Sequence, residues 1–157
     1  VAEISALGRR AVALRLDVAD ASGFADFAQG AARELDTQWR RDSFDFLVNN
    51  AGMGVYASYA ETTAQQFDDL VNVHFKGPFF LTQALLPLIA DGGRIVNISS
   101  GLARFALPGH AAYASMKGAM AFAMYPGLTA GAIAALLGEG NRWVTAQRIE
   151  VSGGMFL

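Results

Sequence analysis

The chain has 157 residues, of which 53% are hydrophobic and 17% charged, so it can bury a core and is too apolar to be disordered. Its lack of cysteine excludes disulfides and thiolate metal sites, and fits a cytoplasmic protein. The net charge of −2, with lysine and arginine scattered singly, gives no basic surface for nucleic acid.

The first third of the chain predicts a strand, a helix and a second strand. The run Arg10–Asp17 is rich in residues that favour strands. Ser22 is a suitable N-cap for an amphipathic helix that continues to about Arg41. The continuous apolar run Phe44–Asn49 predicts a second strand that is buried on both faces.

The middle of the chain predicts a long helix followed by a third strand. Thr63 can cap a helix over about Ala64–Ala90, which Gly77-Pro78 interrupts. A turn at Asp91–Gly93 then leads into a strand over Arg94–Ser99.

The last third of the chain predicts two helices and a fourth strand, at Ala111 to about Tyr125, at about Thr129–Leu137 and at Gln147–Val151. The 21 residues of Gly118–Gly138 carry no charge. Because Ala and Gly dominate them and Pro126-Gly127 breaks them, two buried helices are favoured over a membrane span. Alternating strands and helices predict an α/β fold with a parallel sheet.

Tyr113 and Lys117 are a candidate catalytic pair. Residues four apart on a helix share one face, and a neighbouring ammonium favours the phenolate of a phenol, whose ordinary pKa is about 10. Such a pair suits acid/base catalysis, and a serine from Ser99-Ser100, at the end of the neighbouring strand, could bind the same substrate oxygen. Taken alone, the pair could also be a surface contact worth about 0.2–0.5 kcal/mol.

Five motifs in this order resemble those of the short-chain dehydrogenase/reductase family, in its small single-domain branch. They are Leu16-Asp17-Val18, Asn49-Asn50-Ala51-Gly52, Asn72–Gly77, Gly93–Ser100 and Tyr113-x-x-x-Lys117, with Val151–Met155 similar to the family's C-terminal strand and tail. The resemblance implies a doubly wound, Rossmann-like parallel sheet and a nicotinamide cofactor, NAD or NADP.

The resemblance also implies a catalytic tetrad. Tyr113 would exchange a proton with the substrate, and Lys117 would assist it and hold the nicotinamide ribose. Ser100, which lies at the family's spacing before Tyr113, would orient the substrate oxygen. Asn72 would hold a water that links Lys117 to solvent.

The same resemblance implies further cofactor contacts. Asp17 would meet the adenine, and Asn49, Ala51 and Gly52 would support the cofactor at the end of a strand. The spacing of Gly52, Gly54 and Ala57 also fits a pyrophosphate-binding loop, which we consider the weaker interpretation beside Asn49–Gly52.

Other candidate residues have ordinary structural interpretations. His74 and His110 have no partner at metal-ligand spacing, so each is expected to be a packed or a surface residue. The apolar stripe over Phe75–Leu86 fits a core or a contact between subunits. The resemblance implies a homo-oligomer, a dimer or the homotetramer that is common in the family. By analogy, a substrate pocket would be lined by Arg104, Phe105, Leu107 and His110, whose apolar members favour a partly hydrophobic small molecule.

Parts of the family's domain have no counterpart in the 157 residues. The first two strands and the Gly-rich phosphate loop would precede Val1, and a segment near 120–128 is shorter than in the family. Residues 1–157 are therefore expected to form one incomplete nucleotide-binding domain. The strand at Arg10–Asp17 would then lack its neighbours in the sheet.

The resulting hypothesis is hydride transfer between a nicotinamide cofactor and a secondary alcohol or ketone. A truncated Rossmann-like module that binds or assembles without catalysis is the alternative from another class. An epimerase or dehydratase could use the same Tyr113 and Lys117, but Asn49–Gly52 favours a simple dehydrogenase.

Overall fold

A computed structural model describes residues 1–120, together with 137, 138 and 140. Seven regular elements follow one another in the described chain: α1 (Ala2–Ala6), α2 (Phe24–Glu34), β1 (Phe44–Asn49), α3 (Ala64–Val71), α4 (Gly77–Leu85), β2 (Ile89–Asn97) and α5 (Ala111–Met120). Short 3-10 turns precede α2 and follow α4 and β2, and π-helical turns follow α2 and α3. No helix of this described part is long and apolar enough to cross a membrane.

β1 and β2 pair in parallel and are connected through α3 and α4, so they form a β-α-β unit. Asn49 pairs with Asn97 at the carboxyl end of the sheet. The predicted turn at Asp91–Gly93 lies inside β2, where the pairing with β1 is irregular and Gly92 has a φ of 78°. The third predicted strand therefore begins earlier, at Ile89.

The main core lies on one face of this unit, where α2 packs against α4. Its buried side chains are Phe24, Leu81 and Leu85, with Leu47 of β1 packed against them. On the opposite side of β1, Phe46 is 43% exposed and Val48 is 37% exposed. The prediction of a strand buried on both faces is therefore wrong: among the described elements, α2 and α4 cover only the face that carries Leu47.

The segment Arg10–Asp17, predicted as a strand, has no regular secondary structure and belongs to no sheet in the described chain. A strand needs a partner for its backbone N–H and C=O groups, and the described sheet consists of β1 and β2. The segment is anchored instead by side chains: Leu16 packs against the core, and the Arg10 guanidinium lies 5.7 Å from the ring centroid of Trp39.

The predicted helices occur with shifted boundaries. The cap predicted at Ser22 is formed by Asp20, whose carboxylate accepts hydrogen bonds from the Ser22 N–H and hydroxyl and caps the 3-10 turn Ala21–Gly23. This turn leads into α2, which has no side-chain cap of its own. The cap at Thr63 is confirmed, and it forms a reciprocal capping box with Gln66.

Gly77-Pro78 does not interrupt the long helix. The π turn Asn72–Lys76 leads directly into α4, and Pro78 lies in the first turn of α4, where proline is tolerated. The helical path ends at Leu88 rather than Ala90, because Ile89 begins β2.

The remaining predictions fall largely on residues that are not described. The helix from Ala111 is present to Met120, and its predicted end at Tyr125 lies outside the described residues. The short segment near 120–128, the strand Gln147–Val151 and nearly all of the helix Thr129–Leu137 also lie outside them.

Gly77 is the point where the helical path passes against the backbone of Val18, just after the segment Arg10–Asp17. A Cβ at this position would collide with the carbonyl oxygens of Val18 and Asn72. We predict that Gly77→Ala lowers the free energy of unfolding by about 1–3 kcal/mol, the usual cost of forcing extra atoms into a packed site. Urea unfolding followed by circular dichroism measures this change.

Gly30→Ala in α2 is the matched control, since the nearest atom to its new Cβ is the flexible end of Arg33 at 3.8 Å. There alanine should stabilise the helix by about 0.5–1 kcal/mol, its normal advantage over glycine. The same sign of change in both variants would contradict the packing role assigned to Gly77.

Candidate functional site

Helix α5 brings Tyr113 and Lys117 together as their spacing predicts. The Lys117 Nζ lies 5.6 Å from the centroid of the Tyr113 ring. Lys117 is 5% exposed, and its Nζ donates a hydrogen bond of 3.0 Å to the Ile98 carbonyl at the end of β2. The pair is therefore a buried contact and not an exposed one on the helix surface.

Burial changes the acid/base behaviour of Lys117. Desolvation disfavours the ammonium and lowers the pKa of Lys117 from 10.5 to about 8. An amine with this pKa can take up and release a proton near physiological pH, as a proton-transfer group must.

The two adjacent serines have different surroundings. The buried Ser99 hydroxyl donates to the Lys117 carbonyl at 2.9 Å, which ties the end of β2 to α5. The Ser100 Oγ accepts from the Leu102 N–H at 3.2 Å and caps a 3-10 turn. The proton of the Ser100 hydroxyl stays available for another acceptor.

These groups face one cleft of about 500 Å³ at the carboxyl end of the two strands. Its polar lining comes from four segments: the loop after β1, the π turn after α3, the residues after β2, and α5. Among the predicted site residues it brings together Gly52, Ser100, Tyr113 and Lys117. Ligands of open α/β sheets bind at this end of the strands.

Other predicted residues lie apart from this cleft. The Asn49 amide donates to Thr82 Oγ1 and Asn97 Oδ1, and so connects β1 to α4 and β2. Ala51 is exposed, and Asn72 is half-buried at the start of the π turn. Asp17 lines a separate cleft beside α2, where its carboxylate accepts from the Ala19 N–H.

The loop after β1 does not have the geometry of a pyrophosphate loop. Gly52 and Gly54 line the cleft, but the next helix begins seven residues beyond Ala57, at Ala64. A pyrophosphate loop leads directly into a helix, whose N-terminus binds the phosphates. The weaker of the two interpretations of this motif is therefore wrong.

His74 also lines the cleft, although its sequence context did not predict that it belongs to the site. Its side chain is 2% exposed, in accord with the expectation of a packed histidine, yet it lines the cleft. The centroid of its ring lies 5.2 Å from that of Tyr113 in an edge contact. Its spacing of four residues from the fully buried Leu70 was the available signal that it faces inward.

Only some of the residues between Ser100 and Tyr113 line the cleft. Leu102 and His110 line the cleft, whereas the Phe105 ring packs against Gly101. His110 makes edge contacts with two tyrosines, at 5.4 Å to Tyr56 and 6.5 Å to Tyr113. The described residues contain no cluster of three side chains able to hold a metal ion.

The donor set in the cleft fits the nicotinamide–ribose end of a dinucleotide. The Lys117 ammonium has three donors, of which the Ile98 carbonyl uses one, so it can bind ribose hydroxyls. Gly52 has no side chain at the edge of the cleft, and the His74 Nδ1 is buried with no hydrogen-bond partner among the described residues.

Comparisons with known proteins agree with this fold. Residues 1–126 match the family described as short chain dehydrogenase. The tetrahydroxynaphthalene reductase of Pestalotiopsis fici is 33% identical over 121 residues, which are 76% of this chain and 42% of that protein. The chain thus spans less than half the length of this curated relative.

Solved structures share the fold over nearly all of the chain. The landomycin C-6 ketoreductase LanV with bound NADP and rabelomycin is 29% identical, with a TM-score of 0.86 over 98% of this chain and 78% of that one. A short chain dehydrogenase from Burkholderia cenocepacia in complex with NADP is 25% identical, with a TM-score of 0.82 over 98% of this chain and 80% of that one.

The lowered pKa of Lys117 predicts a pH-dependent stability. Between pH 8 and 10.5 the unfolded chain keeps a proton on this amine that the folded chain has lost, so the free energy of unfolding should rise with pH over this range. Lys117→Met should remove this contribution. Urea unfolding at several pH values, compared between wild type and variant, measures the difference.

The chain has one other lysine, the exposed Lys76, which provides a control. Lys76→Met should keep the wild-type dependence of stability on pH. Equal slopes for wild type and Lys117→Met between pH 8 and 10.5 would contradict the buried, desolvated state of Lys117.

Proposed function

This chain belongs to the short-chain dehydrogenase family, and we propose that it catalyses hydride transfer between a nicotinamide cofactor and a ketone or secondary alcohol. The observation that carries the proposal is the meeting of Tyr113, Lys117 and Ser100 in one cleft. A phenol, a buried amine with a pKa of about 8 and a free hydroxyl proton are the groups that this chemistry needs around a carbonyl oxygen.

In carbonyl reduction, Ser100 and Tyr113 would donate hydrogen bonds to the substrate oxygen. As negative charge develops on that oxygen, the Tyr113 hydroxyl transfers its proton to it and the alcohol forms. The Lys117 ammonium stabilises the resulting phenolate from its position beside the ring. In the oxidative direction the phenolate takes the proton back.

The cofactor, NAD or NADP, supplies the hydride when it is bound. Lys117 would hold its ribose, Gly52 would lie beside it, and Asn49 and Ala51 would support it from the end of β1. Asp17, which lies in the separate cleft, would contact its adenine end. Both LanV and the Burkholderia cenocepacia protein were solved with NADP, which supports the phosphorylated form as the first cofactor to test.

We propose an aromatic ketone as the substrate class. The rings of Tyr56, His110 and Tyr113 form a chain of edge contacts that leads from the protein surface to the cleft. Aromatic rings of this kind bind flat apolar molecules. Two similar proteins support this class: the Pestalotiopsis fici protein is named a tetrahydroxynaphthalene reductase, and LanV was solved with rabelomycin.

Tyr113→Phe should lower kcat for reduction of a bicyclic aromatic ketone by about 10²–10⁴-fold, because the phenol is the proton donor. The oxidation of NADPH, followed by its absorbance, measures this loss. Binding of NADPH and NADH, followed by nicotinamide fluorescence, should change little, since the ring itself remains.

Tyr59→Phe is the matched control, because Tyr59 is 88% exposed and lies away from the cleft. It should keep wild-type kcat. Undiminished turnover in Tyr113→Phe would refute the assignment. Cofactor binding without any turnover in the wild type would favour the alternative of a binding module.

We also propose a homo-oligomer in the cytoplasm. Among the apolar residues exposed on and beside α4, Phe79 is 60% exposed and Leu86 is 53% exposed, and a subunit contact would cover them. Phe79→Ser should therefore lower the molar mass measured by light scattering. An unchanged mass would argue against this surface as the contact.

A further inference from the structure

His74 is a buried ionisable residue that the mechanism above leaves without a role. It lies in the middle of the π turn Asn72–Lys76 and is 2% exposed. The groups that face it come from two segments: Tyr113 and Lys117 from α5, and the backbone of Gly52 and Met53 from the loop after β1.

One nitrogen of the imidazole is anchored by the protein. The Nε2 lies 2.6 Å from the Met53 carbonyl oxygen and 3.2 Å from the Met53 nitrogen. The longer contact would need Nε2 to accept from the Met53 N–H, and the shorter one needs it to donate to the Met53 carbonyl. A neutral ring makes only one of these hydrogen bonds, and we assign the proton to Nε2 because the 2.6 Å contact with the carbonyl is the shorter. The Nδ1 then has a lone pair and acts as an acceptor.

The other nitrogen, Nδ1, is buried without a hydrogen-bond partner in the described chain. A buried polar atom in this state is unfavourable unless a donor from outside the chain reaches it. The ring lines the cleft that contains Tyr113 and Lys117, so a water in that cleft can serve as the donor.

We propose that the Nδ1 of His74 holds the water through which Lys117 and Tyr113 exchange protons with solvent, in the role that the family resemblance gives to Asn72. This inference rests on the proposed function. After Tyr113 gives its proton to the substrate oxygen, the phenolate takes one proton from the Lys117 ammonium, and Lys117 regains one from the water, which is resupplied from solvent. His74 acts as a positioning residue, because it accepts a hydrogen bond from the water and its own protonation does not change.

His74 also makes this relay sensitive to acid. A protonated imidazole has N–H groups at both nitrogens, so it cannot accept a hydrogen bond from the water. Burial, and secondarily the charge of Lys117, lower the pKa of His74 below its ordinary 6.5. Reduction should therefore lose rate in acid solution as His74 is protonated, below pH 6.5.

Two substitutions separate the relay from simple packing. In His74→Asn the amide oxygen can occupy the position of Nδ1 while the contact with Met53 is lost. In His74→Gln the amide reaches the position of Nε2 and keeps that contact, but the acceptor at Nδ1 is gone. The relay predicts that Asn keeps kcat within about threefold and that Gln loses about 10–100-fold with KM unchanged. This loss is smaller than the roughly 10²–10⁴-fold usual for a group that itself transfers the proton, because His74 only positions the water.

The pH profile is the second measurement. The wild type should lose kcat below pH 6.5, and His74→Asn should not show this loss, because an amide does not titrate. The opposite order of the two variants, with Gln active and Asn impaired, would show that the Met53 contact is what matters and would overturn the relay. So would a loss of kcat in Asn72→Ala with full activity in His74→Gln.

A third measurement does not depend on activity. The chain has two histidines, so the ring nitrogen signals of His74 in nitrogen-15 NMR can be assigned with His74→Asn. We expect a protonated Nε2 and an unprotonated Nδ1 at neutral pH, and the reverse would overturn the proposal. If Tyr113→Phe keeps its turnover, the proposed function fails; if it loses turnover while His74→Gln keeps it, the relay alone fails.

Discussion

The parallel pairing of β1 with β2 is the constraint on which the rest of the described structure depends. Because both strands run in the same direction, the residues that follow Asn49 and Asn97 emerge at the same edge of the sheet. The Asn49 amide reinforces this edge by bonding both Asn97 and Thr82. A parallel pair also requires a long connection, and that connection, α3 with α4, carries His74 to the same edge.

The burial of Lys117 links this edge to α5. Its Nζ bonds the Ile98 carbonyl, and its own carbonyl accepts from Ser99, so one residue makes two bonds to the segment after β2. These bonds fix the rotation of α5 and with it the direction of Tyr113, one turn earlier. The cost of burying an amine is partly offset because the amine is neutral above pH 8, where its pKa lies.

Local patterns in the sequence correctly predicted the elements whose conformation depends on neighbouring residues. They failed for segments whose conformation depends on contacts with residues far away in the sequence. The strand Phe44–Asn49 and the cap at Thr63 follow from short patterns. Arg10–Asp17 has a strand pattern, but its conformation depends on a pairing partner that the described sheet does not provide. The Tyr113–Lys117 pair was predictable from helical spacing, whereas His74 acquires its position from Met53, 21 residues earlier, and from Tyr113 on another helix.

His74 and Lys117 together limit the charge that the cleft can hold. Burial lowers the pKa of both groups, and for His74 the charge of Lys117 lowers it further. Protonating both at once therefore places two like charges in a poorly solvated site, which is unfavourable. Near neutral pH the favoured state has a neutral imidazole beside a charged lysine, and Tyr113 contacts both. This arrangement suits Tyr113, which must become a phenolate and then recover its proton. The charged Lys117 stabilises the phenolate, and the neutral His74 can accept a hydrogen bond from water.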